Sequence, residues 1–335
     1  YLSNGFLKIS LMSTNKVILR ADGDSDIGMG HFNRTLALGE MLQNNFYLIY
    51  AIRKPSSYQL EQIKRVCDEW IELTESNSHF SQFIRYLNGD EIVVLDNYYF
   101  DTAYQQIIKE IGCKLVCIDD LHDKHYIADI VINHAEGLKA KSFSVENYTK
   151  LLLGYKYALL RKPFFQEYHH IEQKFDILIG IGGSDPNNIS SKFVQKIKRF
   201  DNELKIGVLI GNAYNGILDK KIVHGVNIFK ELNANEVAVI MNSSKFGIFP
   251  ASTIAIEATA MRLPFAVGYF VDNQEEIYKG MIKTGLAYPL DNLNFKYLNV
   301  LTKESYNSMK QIIKKQKKFL DKKSNYRLLR EIEKL

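Results

Sequence analysis

Apolar residues along this chain occur in short runs, separated by longer stretches in which they recur with helical spacing. The short runs contain many Val and Ile residues, which predicts buried strands, and the stretches between them predict helices. Strands and helices that alternate in this way form a parallel sheet with helices on both faces. The first series of predicted strands comprises Val17–Leu19, Tyr47–Ile52, Ile92–Leu95, Lys114–Ile118 and Ile130–Asn133.

A second series repeats the same rhythm further along the chain. Its predicted strands are Ile177–Ile181, Ile206–Ile210, Val226–Phe229, Phe246–Phe249 and Phe265–Gly268. Between the two series, the segment Tyr155–Glu167 contains Pro163 and leads into a polar stretch with His169 and His170, which favours a linker. We therefore expect an α/β fold of two doubly wound, Rossmann-like domains that face each other across a cleft. Such sheets bind ligands at the carboxyl ends of their strands, so functional residues are expected in strand-to-helix loops.

The same pattern predicts the limits of each part of the chain. The predicted parts are an N-terminal arm at 1–16, a first domain at 17–165, a second domain at 172–300 and a helical tail at 301–335. With 335 residues, of which 46% are hydrophobic and 24% charged, the chain is long enough for two such domains.

Charge and cysteine content narrow the class of protein further. The formal net charge of +5 is mild and resides largely in the lysine-rich tail, which suits an anionic small molecule and does not indicate nucleic acid. Three cysteines in so long a chain form no disulfide framework and lack zinc-ligand spacing, so a cytoplasmic location is expected. No apolar stretch reaches membrane-spanning length. We expect no metal, no cofactor, no membrane or nucleic-acid partner, and a monomer.

The most informative segment, residues 20–34, is a Gly-rich turn between the first predicted strand and a helix. Gly28 and Gly30 permit turn geometry and close approach to a ligand, and the amides that open the helix attract anions. His31 follows these glycines and is predicted to be exposed to the cleft, where its imidazole can act as a general base. The alternative is a tight turn with a capping histidine. The sequence G-x-G-H matches neither the dinucleotide fingerprint nor the P-loop.

A second Gly-rich turn lies at 180–188, again between a predicted strand and a helix. The amides of Gly182 and Gly183, with the hydroxyl of Ser184, are predicted to form a phosphate cradle. Asp185 or Asn187 could instead simply cap the helix that follows, with a proline in its first turn.

The loops after the last two predicted strands also contain candidate ligand-binding residues. Ser252 and Thr253 open a helix where a diphosphate could approach, and Glu257, about one turn later, could accept both hydroxyls of a ribose. A surface glutamate is the alternative. The amide of Asn273 can discriminate sugar hydroxyl and acetamido groups, because it both donates and accepts hydrogen bonds.

In the first domain, Asp96, Asn97 and Tyr98 follow one predicted strand, and Asp119 and Asp120 follow the next. All are candidate cleft residues, although the two adjacent aspartates could equally form a turn or a cap. The sequence contains no Ser-His-Asp order and no clustered metal-ligand spacing.

These motifs occur together and in one order. They are R-x-D-x-x-x-x-I-G-x-G-H-x-x-R (Arg20 to Arg34), D-x-Y (Asp96, Tyr98), I-D-D (Ile118 to Asp120), Y-A-L-L-R (Tyr157 to Arg161), G-G-S-D-P-N-N (Gly182 to Asn188), S-T-x-x-x-E (Ser252 to Glu257) and D-N-Q (Asp272 to Gln274). In this respect the chain closely resembles the UDP-2,4-diacetamido-2,4,6-trideoxy-beta-L-altropyranose hydrolases of bacterial pseudaminic acid synthesis. The resemblance extends from about Val17 to Leu290.

The resemblance implies a fold like that of the GT-B glycosyltransferases, particularly the enzyme that adds N-acetylglucosamine to lipid I, with the nucleotide held mainly by the C-terminal domain. It also implies release of UDP by attack of water at the anomeric carbon, with inversion and without a metal. By the same resemblance His31 activates the water, Tyr98 lines the sugar pocket and Glu257 holds the ribose. The residues that we assign to the substrate on this basis are Asp22, Gly28, Gly30, Arg34, Tyr98 and Asn273, and those assigned to the nucleotide are Gly182, Gly183, Ser184, Ser252, Thr253 and Glu257.

Two features depart from the pattern of these hydrolases. Family members usually have histidine, tyrosine and glycine after the aspartate, whereas here Asn97 precedes Tyr98 and Tyr99 follows it. The extension past Leu290 is also longer than expected. Either departure is compatible with an altered sugar substrate or an acceptor site. A GT-B glycosyltransferase that uses a UDP-sugar donor and a non-catalytic nucleotide-sugar binding protein therefore remain alternatives.

Overall fold

A computed structural model describes residues 15–24, 27–168, 172–182, 185, 188–211, 225–293 and 305–335. Its N-terminal part is built on a seven-stranded parallel sheet in the order β3-β2-β1-β4-β5-β7-β9, beside which β6 and β8 form a small parallel pair. These strands are β1 (Lys16–Ala21), β2 (Tyr47–Arg53), β3 (Glu69–Leu73), β4 (Ile92–Asp96), β5 (Lys114–Ile118), β6 (His125–Tyr126), β7 (Ile130–Asn133), β8 (Ser144–Val145) and β9 (Lys150–Leu153).

The C-terminal part is built on a six-stranded parallel sheet in the order β12-β11-β10-β13-β14-β15. Its strands are β10 (Phe175–Gly180), β11 (Ile206–Ile210), β12 (Val226–Lys230), β13 (Ser244–Pro250), β14 (Phe265–Gly268) and β15 (Tyr288–Pro289). The two sheets confirm the predicted α/β fold class, and each predicted strand overlaps a strand of the structure.

Helices cover both sheets, as parallel connections require. The helices are α1 (Gly30–Leu42), α2 (Ser57–Val66), α3 (His79–Ile84), α4 (Thr102–Ile111), α5 (Ile189–Phe200), α6 (Ala234–Asn242), α7 (Thr253–Ala260), α8 (Glu275–Thr284), α9 (Ser305–Phe319) and α10 (Ser324–Ile332). In the part of the chain that the structure describes, no helix is long and apolar enough to cross a membrane.

The strands that the pattern missed lie mainly at sheet edges. β3 is an edge strand with the sequence E-W-I-E-L, in which only Leu73 is buried, so it lacks the continuous apolar run of a central strand. β15 has two residues and β9 begins with an exposed lysine. Edge strands are short and polar because one side of each faces solvent.

The segment Tyr155–Glu167, for which the sequence favours a linker, contains buried apolar side chains. Tyr155, Leu160 and Phe164 are buried in the core of the C-terminal part, whereas Leu159 is buried in the core of the N-terminal part. The connection is therefore anchored in both cores by apolar side chains.

The C-terminal tail connects the same two cores a second time. Leu320, just after α9, packs in the C-terminal core, and Leu328 and Ile332 of α10 pack in the N-terminal core. The hydroxyl of Ser324 donates to the carbonyl of Ala158 at 2.7 Å, so tail and linker lie side by side. Two adjacent crossings thus join the two sheets.

Candidate active site

The predicted site residues lie where the connections of each sheet change direction. In the N-terminal sheet, β1 connects to β2 on one side, while β4 flanks β1 on the other, so the loops after β1 and β4 diverge. In the C-terminal sheet the same relation holds for the loops after β10 and β13. The crevice between diverging loops is the usual ligand site of a doubly wound sheet. His31 and Asp96 flank the first crevice, and Gly182 and Ser252 flank the second.

An imidazole and a carboxylate meet at the first crevice. Nδ1 of His31, in the first turn of α1, lies 2.7 Å from Oδ1 of Asp96, the last residue of β4. Since an ionised carboxylate only accepts hydrogen bonds, Nδ1 carries the hydrogen of this pair. In the neutral ring Nε2 is then the unprotonated nitrogen, and it has no hydrogen-bond partner among the residues that the structure describes. This is the arrangement of a general base oriented by a carboxylate.

Arg34, one turn further along α1, fixes the carboxylate. Its Nε donates to Oδ2 of Asp96 at 2.7 Å, one terminal nitrogen donates to Oδ1 at 2.6 Å, and the other donates to Asp120 at 2.8 Å. The hydroxyl of Thr35 adds a bond of 2.9 Å to Asp96. Although burial by itself would raise it, the charge of Arg34 and the hydrogen bonds from Arg34 and His31 hold the pKa of Asp96 well below its usual range.

The structure therefore corrects the role expected for Arg34. Each of its guanidinium nitrogens is already bonded to a carboxylate, and the residue is buried. A substrate would have to displace Asp96 or Asp120 to reach it, at a high cost for a buried ion pair. Arg34 is a positioning residue of the His31 and Asp96 pair.

The expectation that His31 is exposed to the cleft was wrong, because the residue is only 3% exposed. The ring of Tyr98 packs nearly perpendicular to it, with ring centroids 4.5 Å apart, and the imidazole is bonded to the buried Asp96. His31 nevertheless lines a small cavity at the carboxyl ends of β4 and β5, together with Asn97, Tyr98 and Asp120. The imidazole is buried at the crevice, beneath a tyrosine that is itself 36% exposed.

Tyr98 joins the two halves of the molecule. Its hydroxyl donates to Asp120 at 3.1 Å and accepts a hydrogen bond from Nδ2 of Asn273, which follows β14. The predicted residues Tyr98 and Asn273 are therefore brought together, and the carboxyl edges of the two sheets meet at this point. A second close approach lies nearby, since a Cβ atom on Gly280 of α8 would be 2.0 Å from the carbonyl oxygen of Glu136.

Asp22 does not join the His31 cluster, contrary to its predicted role at the substrate. Its carboxylate accepts two bonds from Arg20, at 2.6 and 3.0 Å, two from the backbone and side chain of Arg53, at 2.8 and 2.6 Å, and one from Tyr99. Burial opposes ionisation, but Arg20 and these bonds lower the pKa of Asp22 to about 2. The carboxylate has no capacity left for a ligand, and its role is to neutralise the fully buried Arg20.

The glycines of both crevices leave backbone exposed. Gly28 and Gly182 have φ angles of +77° and +114°, a backbone conformation that residues other than glycine rarely adopt. A Cβ atom built on Gly28, Gly30 or Gly182 meets no described atom within 4 Å, so these positions border open space. Gly183 and Ser184 lie outside the described residues.

The two helices that begin at the second crevice, α5 and α7, differ in whether a side chain accepts hydrogen bonds from their first backbone amides. The carboxylate of Asp185 accepts bonds from the amides of Ile189 and Ser190, at 2.7 and 2.9 Å, so it caps α5 as the alternative interpretation proposed. Ser252, at the start of α7, caps no amide of its helix with its side chain. The N-terminus of α7, with the half-buried Ser252 and Thr253, is therefore available to an anion.

Glu257 in α7 is buried, which excludes the surface glutamate considered above. Its two carboxylate oxygens accept from Nε and a terminal nitrogen of Arg161, at 2.8 and 3.0 Å. Arg161 belongs to the segment that connects the two sheets, so this bidentate ion pair attaches the connection to α7. A ribose at Glu257 would have to share the carboxylate with Arg161.

Sequence reasoning gave no role to three further residues around the base. Asp96 and Asp120 were predicted only as cleft residues without a specific role. The signal for such a role was that both lie at the carboxyl ends of buried strands. His134 follows β7 and is buried. Burial, reinforced by the charge of Arg34, lowers the pKa of His134 to about 4, so its ring is neutral at pH 7.

Within the described residues no group of three or more potential ligands is arranged to hold a metal.

The fold places the chain in a class of known structures. Two doubly wound sheets whose carboxyl edges face each other define the GT-B fold, and solved structures of that class superpose on nearly the whole chain. MurG of Acinetobacter baumannii matches with a TM-score of 0.61 and 11% identity, over 96% of this chain and 99% of its own. Anabaena HepE, solved in complex with UDP-glucose, matches with a TM-score of 0.60 and 8% identity, over 96% and 100%.

Two proteins are similar in sequence. The UDP-2,4-diacetamido-2,4,6-trideoxy-beta-L-altropyranose hydrolase of Campylobacter jejuni is 26% identical over 294 residues, which are 81% of this chain and 97% of that protein. The resemblance indicated by the motifs is thereby confirmed. The uncharacterized protein MJ1062 of Methanocaldococcus jannaschii is 26% identical over 286 residues, or 80% of this chain, and the chain spans 58% of its length. No protein-family model matches the chain.

Proposed function

We propose that this protein hydrolyses a UDP-linked 2,4-diacetamido-2,4,6-trideoxy sugar to UDP and the free sugar, with inversion and without a metal, in the cytoplasmic synthesis of pseudaminic acid. The observation that carries the proposal is the pair formed by His31 and Asp96, which leaves Nε2 of the imidazole free at the crevice. The similarity to the Campylobacter hydrolase supports the choice of substrate.

In this reaction His31 removes a proton from water, and the water oxygen attacks the anomeric carbon. The bond from that carbon to the UDP oxygen breaks, and its electron pair stays on the diphosphate. Asp96 stabilises the imidazolium that forms, because its carboxylate already accepts the Nδ1 hydrogen. The predicted nucleotide side, comprising Gly182, Ser252 and Thr253, stabilises the departing anion through backbone amides and hydroxyls.

The open backbone on the nucleotide side supports the assignment of the departing diphosphate to the C-terminal part. The uncapped N-terminus of α7 offers amide hydrogens and a partial positive charge where a diphosphate would gain negative charge. Glu257 lies one turn further along α7, where it would accept the ribose hydroxyls, and Arg161 would then orient its carboxylate. Tyr98, on the opposite side, already touches Asn273 of the C-terminal part, and the two residues would close over the sugar.

The test is to supply the UDP-diacetamido sugar alone in water enriched in oxygen-18. Steady release of UDP together with free sugar that carries the label is expected. Label on the phosphate would place the cleavage elsewhere and contradict the proposal. Release of UDP only after an acceptor is added would establish a glycosyltransferase, and binding without turnover across pH would establish a non-catalytic binding protein.

A further inference from the structure

The side chain of Asn97 carries a hydrogen-bond donor without a partner. Asn97 is 8% exposed and lines the same cavity as His31 and Tyr98. Its Oδ1 accepts the backbone N–H of Tyr98 at 2.9 Å, which fixes the orientation of the amide. Nδ2 therefore points the other way, and it is buried without a partner in the part of the chain that the structure describes. A buried polar group left in this state usually awaits a ligand or a water molecule.

The other donors around this cavity are already used. Each nitrogen of Arg34 is bonded to a carboxylate, and the hydroxyls of Tyr98 and Tyr126 donate to Asp120 and Asp119. The ammonium of Lys124 donates to the carbonyl of Tyr98 at 2.9 Å. Apart from His31, which is needed as the base, Nδ2 of Asn97 is thus the side-chain nitrogen that makes no hydrogen bond among the described residues of the lining.

The lining also contains acceptors, since it includes the carboxylates of Asp120 and Asp123. A hydroxyl on a sugar can donate to a carboxylate and does not depend on Asn97. A carbonyl oxygen has no hydrogen to donate, is repelled by carboxylates, and needs an N–H. The cavity therefore discriminates between the two kinds of substituent at this one amide.

We propose that Asn97 determines sugar specificity, by donating from Nδ2 to the carbonyl oxygen of an acetamido substituent. The inference rests on the proposed function and adds to it the residue that reads the substituent. A site built to pair a polar group rejects the analogue that leaves the group unpaired. Replacing one acetamido group by hydroxyl should therefore weaken binding about 5- to 100-fold at the position that Asn97 contacts.

The experiment compares the UDP-diacetamido sugar with two analogues, in each of which one acetamido group is replaced by hydroxyl. Binding by calorimetry and kcat/KM are measured for wild type, Asn97→Asp and Asn97→Leu. The aspartate keeps the acceptor for the N–H of Tyr98 but lacks the donor, and the leucine lacks both without adding charge. Both variants should lose the preference for one acetamido position while binding UDP alone like wild type, and thermal unfolding checks that each variant folds.

The outcomes separate this inference from the proposed function. If wild type releases UDP from the diacetamido sugar but the variants retain its preference over both analogues, the role of Asn97 is wrong and the hydrolase stands. If wild type binds the diacetamido sugar in preference to one analogue, and Asn97→Asp loses that preference although no turnover occurs, the specificity residue stands and the hydrolase does not. If wild type binds none of the three sugars, both proposals are overturned.

Discussion

The two sides of the crevice satisfy their polar groups in opposite ways. On the N-terminal side, His31, Arg34, Asp96 and Asp120 are buried and joined through the two carboxylates, with distances between 2.6 and 2.8 Å. On the C-terminal side, the start of α7 has no side-chain cap, and Gly182 borders open space. One side is a set of paired charges that leaves Nε2 of His31 without a partner among the described residues, and the other is open backbone.

This difference indicates a division of chemical tasks. Proton transfer requires a base held in one tautomer and one direction, which the ion pairs of the N-terminal side provide before any ligand binds. Anion binding requires donors that are not already used, which an uncapped helix end provides. The predictions below change each side in turn and ask whether the other side responds.

The largest effect is expected at the base. His31→Asn removes the proton acceptor and should lower kcat between a hundredfold and ten-thousandfold, as loss of a general base does, while the dissociation constant of UDP stays unchanged. Single-turnover kinetics and calorimetry with UDP measure the two quantities. Near-normal turnover in the variant would remove His31 from the mechanism, and weaker UDP binding would show that the two sides are not independent.

The next effect concerns the charges that hold the N-terminal side together. Asp22→Asn leaves the buried guanidinium of Arg20 without its counter-charge and should lower the free energy of unfolding by about 3 to 5 kcal/mol. Denaturant unfolding measures the loss, and UDP affinity should not change. Unchanged stability together with weaker binding of the UDP-sugar would restore the substrate role that the structure denies to Asp22.

The pH dependence of the same variant adds a check. Because the pKa of Asp22 is lowered to about 2 in the folded protein, its stabilisation is present above its unfolded pKa near 4 and is lost as the pH falls through about 2. The difference in stability between wild type and Asp22→Asn should therefore shrink over this range. A difference that stays constant from pH 5 to pH 2 would contradict the assignment.

The smallest effect is expected on the open side. Ser252→Ala removes one hydroxyl at the start of α7 and should weaken UDP binding about fivefold, the value of one hydrogen bond, with kcat little changed. Ser56→Ala is the matched control, because Ser56 already caps α2 through the amide of Gln59. The control should lower stability by about 1 kcal/mol without affecting UDP. Equal UDP affinity in both variants would show that α7 does not hold the diphosphate.

Local pattern was sufficient for the framework of the site. Periods of apolar residues gave the central strands, and the glycines at 28 and 30 gave the turn that presents His31, because both signals depend on residues close in sequence. Edge strands such as Glu69–Leu73 were missed, because an edge strand lacks the continuous run of apolar residues by which the central strands were predicted. The sequence could not decide whether the turn at Asp185 caps the helix or binds phosphate, because both require the same residue types at a helix start.

The sequence alone determined where strands, turns and the imidazole occur along the chain, because those features follow from neighbouring residues and backbone preference. Only the tertiary structure decided which charges are paired. Asp96 bonds to His31, which is 65 positions away in sequence, and Asp22 and Arg34 are held in buried ion pairs. The base is buried beneath Tyr98, and Nδ2 of Asn97 has no partner among the described residues. The physical reason is that a charged or polar group acts through its partners and its burial, and both come from residues far apart in sequence.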